Sequence, residues 1–207
     1  MKKITLSVIL AGLFLFSVAP GATQAQGLVN FGIKGGVNIA NISFDDFDDN
    51  DPRTGFTIGA ALNIGFPMLP VGLETGLYYS QQGTTLKSTL LDLEGTTKLD
   101  YLKIPVLAKV MLGPPGPLSP YFVAGPYAAF ILNAEQETTT NGLSGTVDIS
   151  DEVESVDFGL TMGVGADFKL MPATMSVQIR YSYGLTDIFE ETGSKNRVLS
   201  ILAGFSF

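Results

Sequence analysis

The stretch VDFGLTMGVGADFK, residues 156–169, alternates strictly between two kinds of side chain. One set is Val, Phe, Leu, Met, Val, Ala and Phe, and the other is Asp, Gly, Thr, Gly, Gly, Asp and Lys. Successive side chains of a β-strand point to opposite faces, so a period of two predicts a strand with one apolar face and one small, polar face.

The same alternation recurs along most of the chain. It is clean at 56–66, 175–185 and 198–207, and weaker at 31–40, 71–83, 96–112 and 118–134. Together with 156–169, these runs predict eight strands. Pro105 and Pro126 lie inside two of them, and we expect each to mark a bulge or kink because proline donates no ladder hydrogen bond.

The connections between the runs alternate in length. Tight turns are predicted at 67–70, 113–117 and 171–173, and longer polar stretches at 41–53, 84–95, 135–154 and 187–196. Short periplasmic turns alternating with long external loops are typical of a transmembrane β-barrel. An even number of strands then places both chain ends on the periplasmic side.

The two faces differ in bulk, and this difference decides which one points inward. The interior of an eight-stranded barrel is only just wide enough to be filled by side chains. The Gly-, Ser- and Ala-rich face fits that space, whereas the Phe-, Leu- and Ile-rich face overfills it. We therefore predict an all-β fold, an eight-stranded antiparallel up-and-down transmembrane β-barrel with its apolar face towards lipid.

The N-terminus has the features of an export signal. Lys2 and Lys3 precede an apolar run, residues 4–18, which is short for a transmembrane helix, and residues 23–25 read as a cleavage site. An N-terminal membrane anchor is the alternative interpretation. We predict a cleaved signal peptide over residues 1–25, a barrel domain over 26–207, and localisation in the cell outer membrane.

Alternation also assigns eight charged residues to the inner face: Lys34, Glu74, Lys103, Lys109, Asp157, Asp167, Lys169 and Arg180. Inside the barrel, charges of both signs can pair, whereas Lys or Arg facing lipid costs about 2–4 kcal/mol at mid-depth. The set is compatible with a polar conduit or with a salt-bridged core that plugs the barrel. We expect the salt-bridged core, because eight strands leave little room for a channel. Asp157 is an exception: it is close enough to a predicted loop to be a charge at the rim of the barrel.

Two predicted loops are acidic. Asp45, Asp46, Asp48, Asp49 and Asp51 crowd the first, and Glu135, Glu137, Asp148, Asp151, Glu152 and Glu154 lie in the third. Asp46, Asp48 and Asn50 have the spacing that begins an EF-hand loop. However, Asp51 stands where that loop needs Gly, and Thr57 where it needs Glu. We therefore expect solvated acidic loops and no metal site, with these three residues the only candidate ligands.

Composition excludes several classes of function. The chain has no His and no Cys, so it lacks the commonest general base and any disulfide or thiolate metal site. Its net charge of −8 argues against nucleic-acid binding, which needs a basic face. We predict a protein that is not an enzyme and carries no cofactor. The expected partners are outer-membrane lipids and the barrel-assembly machinery, which reads a C-terminal strand such as the one ending at Phe207; a partner of the external loops is unknown.

Three segments carry a family resemblance: FGIKGGVNIA at 31–40, GLETGLYYSQQG at 72–83 and YLKIPVLAK at 101–109. In order and spacing they resemble the PorT-like outer-membrane β-barrel family, over essentially all of 27–207. That family usually carries an acidic residue where Lys103 stands, and Pro105 belongs to its motif. The resemblance implies an eight-stranded barrel often described as a porin-family protein.

These observations leave three hypotheses about function. The first is a non-enzymatic integral outer-membrane barrel with a structural or interaction role at the cell envelope through its acidic external loops. The second is a narrow porin-like channel for small solutes. The third is a soluble periplasmic lipid-binding barrel.

Overall fold

The chain folds as a closed β-barrel. The computed structural model describes residues 29–43, 51–66, 69–88, 93–114, 116–140, 143–149, 153–170, 172–188 and 194–207. The strands in these ranges are β1 Val29–Ser43, β2 Asp51–Gly65, β3 Val71–Ser88, β4 Leu93–Met111, β5 Leu118–Thr140, β6 Leu143–Asp148, β7 Val156–Leu170, β8 Ala173–Gly184 and β9 Lys195–Ser206. No helix long and apolar enough to cross a membrane occurs among the described residues.

Eight of these strands form the barrel wall. Every wall strand pairs antiparallel with its sequence neighbour in the wall, and β9 pairs with β1 to close the ring. The closure continues to the last residue, where the Phe207 N–H donates to the Phe31 carbonyl at 2.8 Å. The predicted eight-stranded up-and-down barrel is therefore confirmed. The predicted signal peptide lies outside the described residues.

The apolar face points outward, as predicted. Ile58, Leu160 and Ile179 are 57%, 51% and 46% exposed, whereas Lys109 and Arg180 are only 7% and 6% exposed. A water-soluble barrel would bury the first three and expose the last two, so the lipid-binding barrel in the periplasm is excluded. The outer wall is instead a continuous apolar surface that lipid can cover.

The expectation of a loop over 135–154 is wrong for most of its length. β5 continues to Thr140, turns, and pairs with β6 from Glu135↔Asp148 to Thr140↔Leu143. The ends of β3 and β4 also extend, so β3 to β6 form a four-stranded sheet beyond the loop end of the barrel. We call this the external sheet: residues 84–88, 93–98, 135–140 and 143–148. The stretch is rich in Thr, which favours strands even without apolar alternation.

The irregular points of the ladders lie where the external sheet leaves the barrel. Register shifts occur between Pro52 and Thr57 and at Asp100/Tyr101, and Gly83 has a φ of 136°, which favours glycine. Neither Pro105 nor Pro126 lies at a register shift, so of the bulge or kink predicted at each proline, the bulge is wrong. Pairs beside both prolines are missing, but the register resumes unchanged.

Candidate functional site in the barrel lumen

Four inner-face side chains meet near the middle of the barrel. Glu74 of β3 binds Lys34 of β1, with Nζ and Oε2 2.8 Å apart, and also pairs with the Arg180 guanidinium of β8. Gln178 accepts from both cations through Oε1, at 3.3 Å from Lys34 Nζ and 2.8 Å from Arg180 Nε. All four are buried. We call Lys34, Glu74, Gln178 and Arg180 the central cluster; it links strands that are not neighbours in the wall.

A second ion pair lies nearer the turn end. Lys109 Nζ is 2.6 Å from Asp167 Oδ2 and 3.8 Å from the centre of the Tyr121 ring. The pair joins β4 to β7 across the intervening β5. The Lys109 ammonium is thus matched by a carboxylate and by the face of an aromatic ring, an arrangement that stabilises a buried positive charge.

Lys103 and Asp157 lie nearer the loop end and are joined through other groups. Lys103 donates to Ser182 Oγ at 2.9 Å and lies 3.8 Å from the centre of the Tyr127 ring. The Tyr127 hydroxyl donates to Asp157 Oδ2, and Thr186 donates to Oδ1, both at 3.0 Å. Asp157 is only 4% exposed, so its interpretation as a rim charge is wrong.

Lys169 differs from the other seven predicted inner residues. It is exposed at the turn end of β7, and no ion pair to its ammonium is present in the described part of the chain. It lies at the mouth of the lumen and outside the network. The position of Lys169 explains this difference, because Lys169 is the last inner-face residue of β7.

Large tyrosines fill part of the lumen, which the volume argument did not anticipate. Tyr78, Tyr121 and Tyr127 are buried, and each lies directly opposite a glycine of the next strand. A Cβ added at Gly59, Gly165 or Gly159 would lie 2.7, 2.6 or 2.5 Å from the facing ring. Inner-face glycines therefore make room for the rings. The sequence contains both partners, but their register is not visible without the fold.

An apolar cap closes the loop end of the lumen. Ile149, Val153 and Ile188 fold inward from the loops and are 5%, 6% and 2% exposed. They join buried wall residues in one cluster: Ile42, Leu99, Tyr101, Tyr127, Ala129 and Ala134. Backbone bonds fix the cap, among them Glu154 N to the Ile188 carbonyl at 3.0 Å. The sequence signal was weak, because Ile149, Val153 and Ile188 are only some of the few apolar residues in largely polar predicted loops.

The lumen is open at the turn end. A cavity of about 660 Å³ lies there, with Lys34 and Lys109 among its lining residues. By contrast, a cavity beside Arg180 and Ser182 has a volume of only about 20 Å³. A space of that size holds roughly one water molecule.

The candidate metal ligands of the first acidic loop are not among the residues that the structure describes. Asp46, Asp48 and Asn50 lie outside the described residues. Within the described ranges, no group of three or more acidic side chains is placed to hold a metal ion.

Comparison with known proteins gives consistent results. The model of a family described as "Outer membrane protein beta-barrel domain" matches residues 24–190. The outer membrane protein OprG from Pseudomonas aeruginosa has a similar fold, with a TM-score of 0.51 and 15% identity over 87% of this chain and 96% of OprG. A major outer membrane protein from Thermus thermophilus gives a TM-score of 0.52 and 15% identity, covering 86% of this chain and 98% of that protein. No curated protein sequence matches the chain significantly.

Proposed function

Because the chain belongs to the outer membrane protein beta-barrel domain family, we propose that it serves the outer membrane as a non-conducting, non-enzymatic barrel with an interaction surface on the outside. The family and the fold place the protein in the outer membrane. The finer role rests on how the lumen is filled and on what projects from its loop end.

Closure of the lumen is the observation that carries the proposal. The central cluster crosses the barrel, and the cavity beside its Arg180 is only about 20 Å³. The apolar cap adds a second barrier at the loop end, where buried side chains exclude water. A hydrated ion would have to displace both a buried charge network and an apolar seal, so the geometry favours a closed barrel over a pore.

The external sheet supplies the proposed interaction surface. It projects beyond the lumen and carries Glu135, Glu137 and Asp148, with Lys98 pairing to Glu137. Val147 is 64% exposed on β6, whose second edge has no partner strand among the described residues. An acidic, strand-rich projection fits contact with other envelope or extracellular molecules better than it fits solute passage.

Two finer assignments are part of the proposal. A non-enzymatic role is supported by the absence of His and Cys from the chain. Membership of the PorT-like group is supported by the resemblance of 31–40, 72–83 and 101–109. These segments lie in β1, β3 and β4 and provide Lys34, Glu74, Lys103 and Lys109 to the lumen.

Planar-bilayer conductance tests the proposal. Protein whose folding is verified by heat-modifiable gel mobility should insert without producing steady single-channel steps. A closed lumen predicts no single-channel current at any ion concentration.

A matched variant controls for contaminating channels. Lys169 is exposed at the turn-end mouth, so Lys169→Gln would alter the ion preference of any current through this barrel. Steady steps with an ion preference that changes in Lys169→Gln would overturn the proposal and favour a narrow pore. Steps that the variant leaves unchanged would come from another protein.

A further inference from the structure

The cavity at the turn end of the lumen has two buried lysines at its floor, and both apolar side chains and a third lysine nearer its mouth. Lys34, Lys109 and Lys169 are among its lining residues, against a single acidic one, Asp167. The apolar lining includes Phe66, Leu69 and Pro70, which are exposed, and Met111, which is partly buried. This polarity is unusual for a chain with a net charge of −8.

Two lysines of the floor retain hydrogen-bonding capacity. Lys109 contacts one carboxylate at 2.6 Å, and Lys34 contacts one carboxylate at 2.8 Å and Gln178 Oε1 at 3.3 Å. An ammonium group offers three donors, so each lysine keeps at least one. Lys169 has no carboxylate partner within the described residues. Positive charges at the base of a cavity with low-dielectric walls concentrate anions there.

We propose that this cavity is a periplasm-facing binding site for a small organic anion with a short alkyl chain. Its carboxylate would lie towards the buried Lys34 and Lys109 and its chain against Phe66, Leu69 and Met111, while Lys169 at the mouth adds to the positive potential of the cavity. The volume of about 660 Å³ lies within the range of ligand-binding pockets, about 300–1,000 Å³. The short turns, the start of β1 at Val29 and the C-terminal Phe207 lie at this end, which is the periplasmic end of a transmembrane barrel. The site is independent of whether the external sheet binds a partner.

Methyl NMR of the intact barrel in zwitterionic nanodiscs tests the site, with hexanoate as the probe. Met111 lines the cavity, whereas Met162 is 55% exposed on the lipid-facing wall and serves as an internal control. Saturable shifts are expected at the Met111 methyl and not at the Met162 methyl. Hexanamide, acetate and inorganic phosphate should each bind more weakly, because each lacks either the charge or the chain.

Two charge-matched variants locate the site. Lys169→Gln should weaken hexanoate binding about threefold to fivefold, the effect of one partly exposed charge pair. Lys195→Gln makes the same charge change at the opposite end of the barrel and should leave affinity unchanged. Both residues are outside the buried network, so neither variant should affect folding.

Several results would overturn the inference. Absence of saturable shifts at Met111 would show that the cavity does not bind the probe. Equal affinity for phosphate or hexanamide would show that the pocket does not select for a charged head with an alkyl chain. Equal loss in Lys169→Gln and Lys195→Gln would mean that binding follows overall charge and not this site.

Discussion

Glu74 is the residue on which the centre of the lumen depends. It is fully buried and is the carboxylate shared by Lys34 and Arg180. Removing one member of a buried charge network leaves the others without compensation, which costs more than the net value of the pairs themselves. Glu74 therefore contributes to stability chiefly by preventing two buried cations from facing each other.

Glu74→Gln is expected to destabilise the barrel by about 3 kcal/mol, because it leaves two buried cations without their anion. Urea unfolding in lipid vesicles measures this loss. Glu137→Gln is the matched control: it breaks the pair with Lys98, whose side chains are 35% and 31% exposed, so its cost should be about 0–1 kcal/mol. Equal losses in the two variants would contradict a structural role for the central cluster.

Tyrosines and glycines explain how so many groups fit inside eight strands. Tyr78, Tyr121 and Tyr127 each occupy the space above a facing glycine, and each ring carries a cation on its face. The comparison of side-chain bulk with the volume of the barrel interior correctly predicted that the Phe- and Leu-rich face points outward. It did not reveal that glycines on one strand balance large rings on the next, because that match depends on register.

At the scale of elements, β5 has two roles along its length. Residues 118–130 pair with β7 in the barrel wall, and residues 135–140 pair with β6 in the external sheet. The wall pairing does not involve β6. The barrel should therefore fold without the outer part of the hairpin that β5 and β6 form.

A shortened hairpin tests this separation. Gln136 and Val147 lie directly opposite each other, so an Asn-Gly turn replacing residues 137–146 can join them. The variant should retain heat-modifiable gel mobility and the urea midpoint of the parent, because the wall ladders and the apolar cap residues remain. Failure to reach the heat-modifiable form would show that the outer hairpin is needed for assembly.

For the whole molecule, the decisive feature is the environment of the outer wall. Exposed aliphatic side chains occur both on the barrel and on the external sheet, but only those on the barrel face lipid. The same substitution should therefore have different costs at the two places.

Ile179→Arg is expected to lower folding stability in lipid vesicles by about 2–4 kcal/mol, because it places a charge on the lipid-facing wall. Val147→Arg is the comparison: Val147 is also an exposed strand residue, at 64% against 46% for Ile179, but lies on the external sheet. Its substitution should have little effect. Similar costs at both positions would contradict the position of the membrane on the barrel.

The sequence alone determined the architecture. A period of two fixes which residues share a face, and the difference in bulk fixes which face fits inside an eight-stranded barrel. These are local or volumetric properties, so the number, order and sidedness of the eight wall strands could be predicted. The inward placement of Lys34, Glu74, Lys109 and Arg180 followed from them.

Only the tertiary structure decided which inner groups meet. Lys34 reaches Glu74, and Arg180 reaches the same carboxylate, because barrel closure brings β1, β3 and β8 around one axis. The apolar cap, the external sheet and the cavity at the turn end likewise arise from register and from loops that fold back. Pairings across a closed sheet depend on how each strand is staggered against the next, and alternation along a single strand does not contain that information.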